Sequence, residues 1–270
     1  MKYILRRRGM GRDSCRLIAQ HSTTGLKVIR NDKYQPEANF LFRWGTLSNV
    51  RNPEREINSS EAIHLAANKA EFRKVLQEEN LAPKTWYNGF VSYPCIVRPL
   101  QHSGGQNLYV CKDSLDLQAA IRACNGQFYA SELINKKAEF RVYTVSGRAI
   151  GVSQKFPRDA NSVAWNARCG GTVQTVSWDN WPLRVLKSAI RADELSGLDF
   201  AALDLIVDNE DKVYVLESNS APSVSDYRAK CFARAFDYII ANGKTRIPLV
   251  GRLGGWRKFL HPSLSSEVWL

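Results

Sequence analysis

A chain of 270 residues with 44% hydrophobic and 24% charged residues has the composition of a globular protein, long enough for one large domain or two to three lobes. No apolar run approaches the roughly 18 residues of a membrane span, the opening "MKYILRRRGMGRDS" has the wrong order for a signal peptide, and the six scattered cysteines form neither a CxxC pair nor a zinc-spaced cluster. The expectation is a cytoplasmic protein with reduced thiols and no membrane partner. The net charge of +12 gathers at the ends, with eight basic residues against one acid in residues 1–30, five against one in 241–270, and a nearly neutral middle. Such ends read either as a solubilising surface or as an attractor of nucleic acid or of an acidic substrate.

In chain order, "KYILRR" predicts a first strand, and "SCRLIAQ" a short helix with Ser14 as its N-cap. "LKVIRN" and "FLFRWG" read as two more strands, which makes a small βαβ-like start, and residues 46–57 read as a polar linker. "NSSEAIHLAANKAEFRKVLQEENLAPKTW" predicts two amphipathic helices capped at Ser59 or Ser60 and stopped by Pro83. "YPCIVRPL" and "LYVCK" form a hairpin-like pair around the turn "SGGQN", followed by a helix with Ser114 as cap and Gly126 as stop. Three strands follow in "FYASELI", "EFRVYTV" and "RAIGVSQKF", then a helix ending at Gly197. "DFAALDLIVD" and "KVYVLESN" form a second hairpin across Asn209–Lys212, and a last helix closes at Gly243. Mixed strands and helices joined by hairpins imply α+β lobes around a cleft.

The strand "VYVLESN" ends in Glu-x-Asn, and alternation puts Glu217 and Asn219 on one face. Its partner strand carries Asp204 among Leu205, Ile206 and Val207, a costly place for an unpaired carboxylate. Pairing through the intervening turn brings Asp204 close to Glu217. Two carboxylates and a carboxamide suit a hard cation such as Mg²⁺, with nucleotide phosphates completing its coordination. Taken alone, Glu-x-Asn also fits a strand running into an Asx-type turn. Likewise Lys69, Glu132 and Arg141 taken singly fit ordinary surface charges, and Ser103–Asn107 fits a plain hairpin turn.

These segments, in this order over about residues 58–240, resemble the ATP-grasp carboxylate–amine ligases, and most of all the branch of RimK and glutathione-synthetase-like enzymes. The quoted motifs are "NKAEFRKVLQEENLAPKTW", "YPCIVRPLQHSGGQNLYV", "SELI" with "EFR", and "GLDFAALDLIV…VYVLESNSAP". The resemblance implies an ATP-grasp fold: an N-terminal α/β region at 1–57, lobes at 58–130 and 131–245 that clasp ATP, and a basic tail at 246–270. It also assigns roles. Asp204, Glu217 and Asn219 would hold Mg²⁺ (or Mn²⁺). Lys69, Arg98, Ser103 and Gly105 would meet the phosphates. Glu132, Leu133 and Ile134 would form the adenine hinge, and Glu139 would take the ribose hydroxyls. Arg141, Lys155, Asn166 and Arg168 would serve the reacting groups.

The implied reaction joins a carboxylate (of an amino acid, peptide or acidic protein) to an amine through an acylphosphate, releasing ADP and phosphate. Four positions depart from the family's usual pattern. Arg98 stands where a Lys is usual, Asn107 where a second loop glycine is, and Ala164 and Cys169 where Arg is. The alternative is a basic, ATP-binding module for protein or nucleic acid that keeps the fold without ligase turnover.

Overall fold

The computed structural model describes residues 1–31, 37–48, 53–88, 91–101, 107–160 and 162–242. The candidate phosphate-loop residues Ser103 and Gly105, the stop at Gly243 and the basic tail lie outside the described residues.

The N-terminal segment forms β1 (Lys2–Arg6), α1 (Arg12–His21), β2 (Lys27–Arg30), β3 (Phe40–Trp44) and β4 (Arg55–Ile57). The four strands make a parallel sheet in the order β2-β1-β3-β4. β4 lies inside the stretch expected to be a linker; three residues are too few for alternation to register. Ser14 is not the cap of α1. Gly11 is, in the left-handed region at φ 65°, where a Cβ would stand 2.5 Å from Cδ1 of Trp44. Ser14 instead sits within the helix and accepts the Val224 N–H at 3.2 Å.

Two helices follow, α2 (Ser60–Ala67) and α3 (Lys69–Glu78). Each is started by a side chain that satisfies an orphan N–H: Ser59 accepts from Ala62 and Asn68 from Glu71. Next come β5 (Thr85–Trp86), β6 (Cys95–Pro99), β7 (Tyr109–Cys111), α4 (Ser114–Ala123) and β8 (Phe128–Glu132). They form an antiparallel sheet in the order β5-β8-β6-β7. The cap of α4 is Asp113, which accepts from Leu115 and Asp116, rather than Ser114.

The largest sheet contains β9 (Lys136–Val145), β10 (Arg148–Phe156), β11 (Thr172–Thr175), β12 (Phe200–Asp208) and β13 (Val213–Asn219), in the order β11-β10-β9-β12-β13. Helix α5 (Leu183–Ser196) precedes β12, and α6 (Asp226–Asn242) ends the described chain. All its pairings are antiparallel, so each strand can dedicate alternate residues to different faces. One face is apolar: Leu203, Leu205, Val207, Val142 and Val215 pack with Phe72, Leu76 and Leu186 of α3 and α5. The opposite face divides along its length. At one end Phe200, Ala202 and Tyr143 pack against α6 and the N-terminal sheet. There Phe42 stacks on Phe236 at 4.1 Å between centroids and Trp44 on Phe200 at 5.2 Å. Each such buried ring contributes roughly 1.5–3 kcal/mol. At the other end the same face carries charge. The sheet of β5–β8 has its own smaller core of Cys95, Val97, Cys111, Leu117 and Ala130.

Candidate active site

The charged end of the large sheet is built by register. Ser153, Arg141, Asp204 and Glu217 stand abreast on β10, β9, β12 and β13. Lys155 and Glu139 form the start of the next row. Two bulges set which side chains arrive there. Asp204 pairs with Glu217 but Leu205 pairs with Val215, so Leu216 is an extra residue in β13. That extra residue lets Val215 enter the apolar core while Glu217 and Asn219 face the other way. In β9, Val207 pairs with Ala138 and Asp208 with Lys136, leaving Lys137 as the extra residue. Lys136 is thereby turned onto the face of Glu139.

Opposite charges interlock across these rows. Arg141 donates to both oxygens of Asp204, Nε at 2.6 Å and Nη2 at 2.7 Å, the bidentate fork a guanidinium favours. Nζ of Lys155 lies 2.8 Å from Oε1 of Glu139 and 3.0 Å from Oδ2 of Asp204. Lys136 donates to the other oxygen of Glu139, and Lys69, the first residue of α3, donates to Glu217. Asn219 Nδ2 donates to Glu217 at 3.1 Å and to the Ala202 carbonyl at 3.4 Å, which leaves its Oδ1 as an acceptor.

Burial pushes the Asp204 carboxyl up, but the charges of Arg141 and Lys155 outweigh it and hold the group well below the usual carboxylate range. Glu217 behaves alike: burial raises it, Lys69 lowers it, Asp204 beside it raises it again, and the net is below its ordinary value. Arg141 is raised by Asp204. Lys155 is lowered by burial and raised more by Asp204 and Glu139. Lys136, in contrast, is lowered by burial, which Glu139 only partly offsets. Arg98 is also lowered by burial, and it lies within electrostatic reach of Tyr129, Glu217, Arg73 and Cys169.

The structure thus brings Lys69, Glu139, Arg141, Lys155, Asp204, Glu217 and Asn219 into one network, with Arg98 in electrostatic reach of Glu217. Glu132, Leu133 and Ile134 connect β8 to β9. The Glu132 N–H goes to the Lys84 carbonyl at 2.8 Å and the Leu133 N–H to that of Pro94 at 3.4 Å, while the Ile134 N–H has no backbone acceptor among the described residues. Asn166 and Arg168 do not join the network. Asn166 caps a short 3₁₀ turn, Ala167–Cys169, through the Cys169 N–H at 3.0 Å, and Arg168 is exposed on that turn.

Two further cations belong to this region and were not singled out from sequence. Lys136 required the bulge at Lys137 to be seen. Arg73 lies one helical turn after Lys69, is buried, and holds its guanidinium carbon 5.6 Å over the Tyr129 ring; its Nε and Nη1 meet no acceptor among the described residues. Its signal was a cation inside the apolar stripe of Phe72 and Leu76.

Asp204, Glu217 and Asn219 fit a hard divalent cation, because all three can offer oxygens from one face of two paired strands. Among the described residues no group of three His, Cys, Asp or Glu side chains is placed to hold a metal ion, so a donor set here includes the carboxamide.

Residues 62–235 match the RimK-like ATP-grasp domain family. A formate-dependent phosphoribosylglycinamide formyltransferase of Bacillus velezensis is 25% identical over 182 residues, covering 61% of this chain but only 43% of that relative. Among solved structures, the Chryseobacterium gregarium RiPP-associated ATP-grasp ligase, in complex with ADP and a leader and core peptide, superposes with a TM-score of 0.65 at 14% identity over 93% of this chain and 100% of its own. The macrocyclase MdnC of Microcystis aeruginosa MRC, bound with precursor peptide MdnA, gives 0.60 at 14% identity over 90% and 100%. The D-alanine–D-alanine ligase of Coxiella burnetii gives 0.58 at 12% over 82% and 85%. The fold expected from the motifs, an α+β ATP-grasp fold, is the one observed, and with the family match over 62–235 this chain belongs to the RimK-like ATP-grasp family.

Proposed function

We propose that the protein is an ATP-dependent carboxylate–amine ligase. The observation that carries this reading is the row of Arg141, Asp204 and Glu217 facing Lys69, which gathers hard oxygen donors and phosphate-compatible cations at one place. Asp204, Glu217 and Asn219 would hold Mg²⁺, or Mn²⁺ in its place, which supplies charge neutralisation for the phosphates. Lys69 exchanges Glu217 for phosphate oxygens when nucleotide arrives, and Arg98 meets the phosphates from β6. Glu139 accepts the ribose hydroxyls and the 132–134 segment flanks the adenine. Arg141 and Lys155 keep Asp204 ionised, so that its oxygens remain ligands.

In the reaction a substrate carboxylate oxygen bonds to the γ-phosphorus and the bond to ADP breaks. The amine nitrogen then bonds to the acyl carbon, the phosphate leaves with the C–O electron pair, and the amine releases a proton. Positioning and electrostatics suffice, and no protein nucleophile enters. Asn166 and Arg168 would approach the acyl group from the 3₁₀ turn.

The solved structures bound to a leader and core peptide or to a precursor peptide support a peptide-like or amino-acid substrate. The division into 1–57, 58–130, 131–245 and 246–270 is part of the same proposal. It is supported by the three sheets, although α2 and α3 rest on the large sheet. No described helix is long and apolar enough to cross a membrane, which is consistent with a cytoplasmic site of action.

The test is ADP release over a panel of amino acids, short peptides and acidic proteins paired with amines, followed by mass analysis of the product. ADP formation that requires both an acid and an amine is expected. Tight Mg–ATP binding with no such product would favour a non-catalytic binding module, the reading that the detached Asn166 and Arg168 favour.

A further inference from the structure

Arg6 and Arg30 are register partners at the carboxyl ends of the parallel strands β1 and β2. Ligands of open α/β sheets bind outside that edge, where loops and helix starts surround an open space. α1 contributes Arg12 and Arg16, which lie on one face a turn apart. Together with Val28 these four arginines line a cavity of about 380 Å³, and none of its described lining residues is acidic. Arg6 is nine-tenths buried, and its Nη1 donates to the carbonyls of Arg7 at 3.2 Å and Met10 at 3.4 Å, which fixes its charge in place. The surrounding loop is fixed too: Asn31 accepts the Arg8 N–H at 3.0 Å and donates to Ser48 at 2.8 Å. Among the described residues, Arg6, Arg12 and Arg16 pair with no carboxylate. Like charges held this close repel, and an anion entering between them relieves that repulsion.

We propose that this cavity docks an acidic segment of a peptide or protein substrate, taking its Asp or Glu side chains outside the reacting site. The proposal rests on the ligase reading and adds to it the class of partner. Two observations favour a peptide over nucleic acid. Among the described lining residues there is no aromatic ring on which a base could stack. Also, β2 is the edge strand of the described sheet, so an extended peptide can run beside it and drop alternate carboxylates toward the arginines. Guanidinium forks match carboxylates with two parallel hydrogen bonds each.

The test uses the full chain and a fluorescein-labelled peptide with Glu at alternate positions, read by anisotropy at several salt concentrations. The comparison is a double variant, Arg12→Glu with Arg16→Glu, two exposed helix positions outside the proposed reaction machinery. At least a tenfold loss of peptide affinity and a flatter salt dependence are expected, with Mg–ATP binding and melting temperature unchanged. Wild-type affinity in the double variant overturns the proposal. So does tighter binding of an oligothymidylate of equal charge, which would make the partner a nucleic acid. Displacement of the peptide by inorganic phosphate at equal concentration would mark a small-anion site and also overturn it. None of these outcomes touches Mg–ATP binding or ADP release, so the ligase reading is judged separately.

Discussion

Glu217→Gln separates the proposed metal-ligand role of this side chain from its observed pairing with Lys69. Sequence alone predicts a neutral or slightly stabilising change, since two metal-free carboxylates at one site repel. The structure adds Lys69, whose ammonium pairs with Glu217, the two side chains being 17% and 21% exposed. A hydrogen bond to a charged group contributes about 1.5–3 kcal/mol when dry. Partial exposure and the relief of repulsion from Asp204 reduce this to about 1–2 kcal/mol. At about 2–4 °C per kcal/mol for a chain of this size, the unliganded variant should melt roughly 2–8 °C lower near pH 7. Because the folded protein holds Glu217 below its ordinary value, this contribution is present above the carboxylate range and is lost as pH falls through it. The melting temperatures of variant and wild type should therefore converge in acid. Turnover should fall about a thousandfold, as expected when several kcal/mol of charge stabilisation leave the transition state. Melting curves at pH 4 and pH 7, with ADP release on the same samples, check both parts. Wild-type turnover by the Gln variant would refute the metal-ligand role, and equal melting at pH 7 would refute the Lys69 pairing.

Asp193 on α5 is fully buried, accepts from Thr144 Oγ1 at 2.8 Å, and is pushed up to about 8 by burial. Its ionisation opposes folding, so wild-type stability should decline as pH rises from about 4 to about 8, on the order of several kcal/mol in all. Asp193→Asn should melt clearly above wild type at pH 9 and close to it at pH 4. Gly151→Ala would put a Cβ 1.1 Å from Nη1 of Arg228; that nitrogen donates to the Ile150 carbonyl at 2.9 Å, and the guanidinium carbon lies 4.6 Å over the Tyr143 ring. Driving the guanidinium out should cost about 2–4 kcal/mol in urea titration, and the same substitution should be far milder in an Arg228→Ala background. Of the six cysteines five are buried and Cys169 is exposed, so native iodoacetamide labelling should modify one thiol per chain. Saturating Mg–ATP should slow that labelling, because Cys169 lies within electrostatic reach of Arg98.

Much of the site was legible because it depends on local order. Asp204 and Glu217 were expected to meet through their hairpin and do, as register partners. What alternation could not supply was the place of an extra residue. Counting by twos along "VYVLESN" puts Val215 and Glu217 on one face, whereas the bulge at Leu216 separates core from site. The same blindness hid Lys136. The short strands β4, β5 and β11, of two to four residues, were missed, whereas the equally short β2 and β7 were read from the apolar runs "LKVIRN" and "LYVCK". Helix starts were misjudged by one to three residues, where Asp113 outcompeted its neighbour Ser114 and where the closeness of Trp44 required Gly11. Arg73 was missed because a cation within an apolar stripe reads as an interruption until its neighbour Tyr129, far along the chain, is known.

The aromatic cluster that joins the N-terminal sheet to α6 bears on how this protein could be recombined. Phe42 and Trp44 belong to the first sixth of the chain, yet their ring partners Phe200, Phe232 and Phe236 come from its last third. A fragment starting near residue 58 would bare those rings to water and aggregate before it could be assayed. The segment carrying the arginine cavity is thus not a cassette. Grafting it onto another scaffold, or replacing it to change substrate choice, requires moving α6 with it, with the strand ends that seat both.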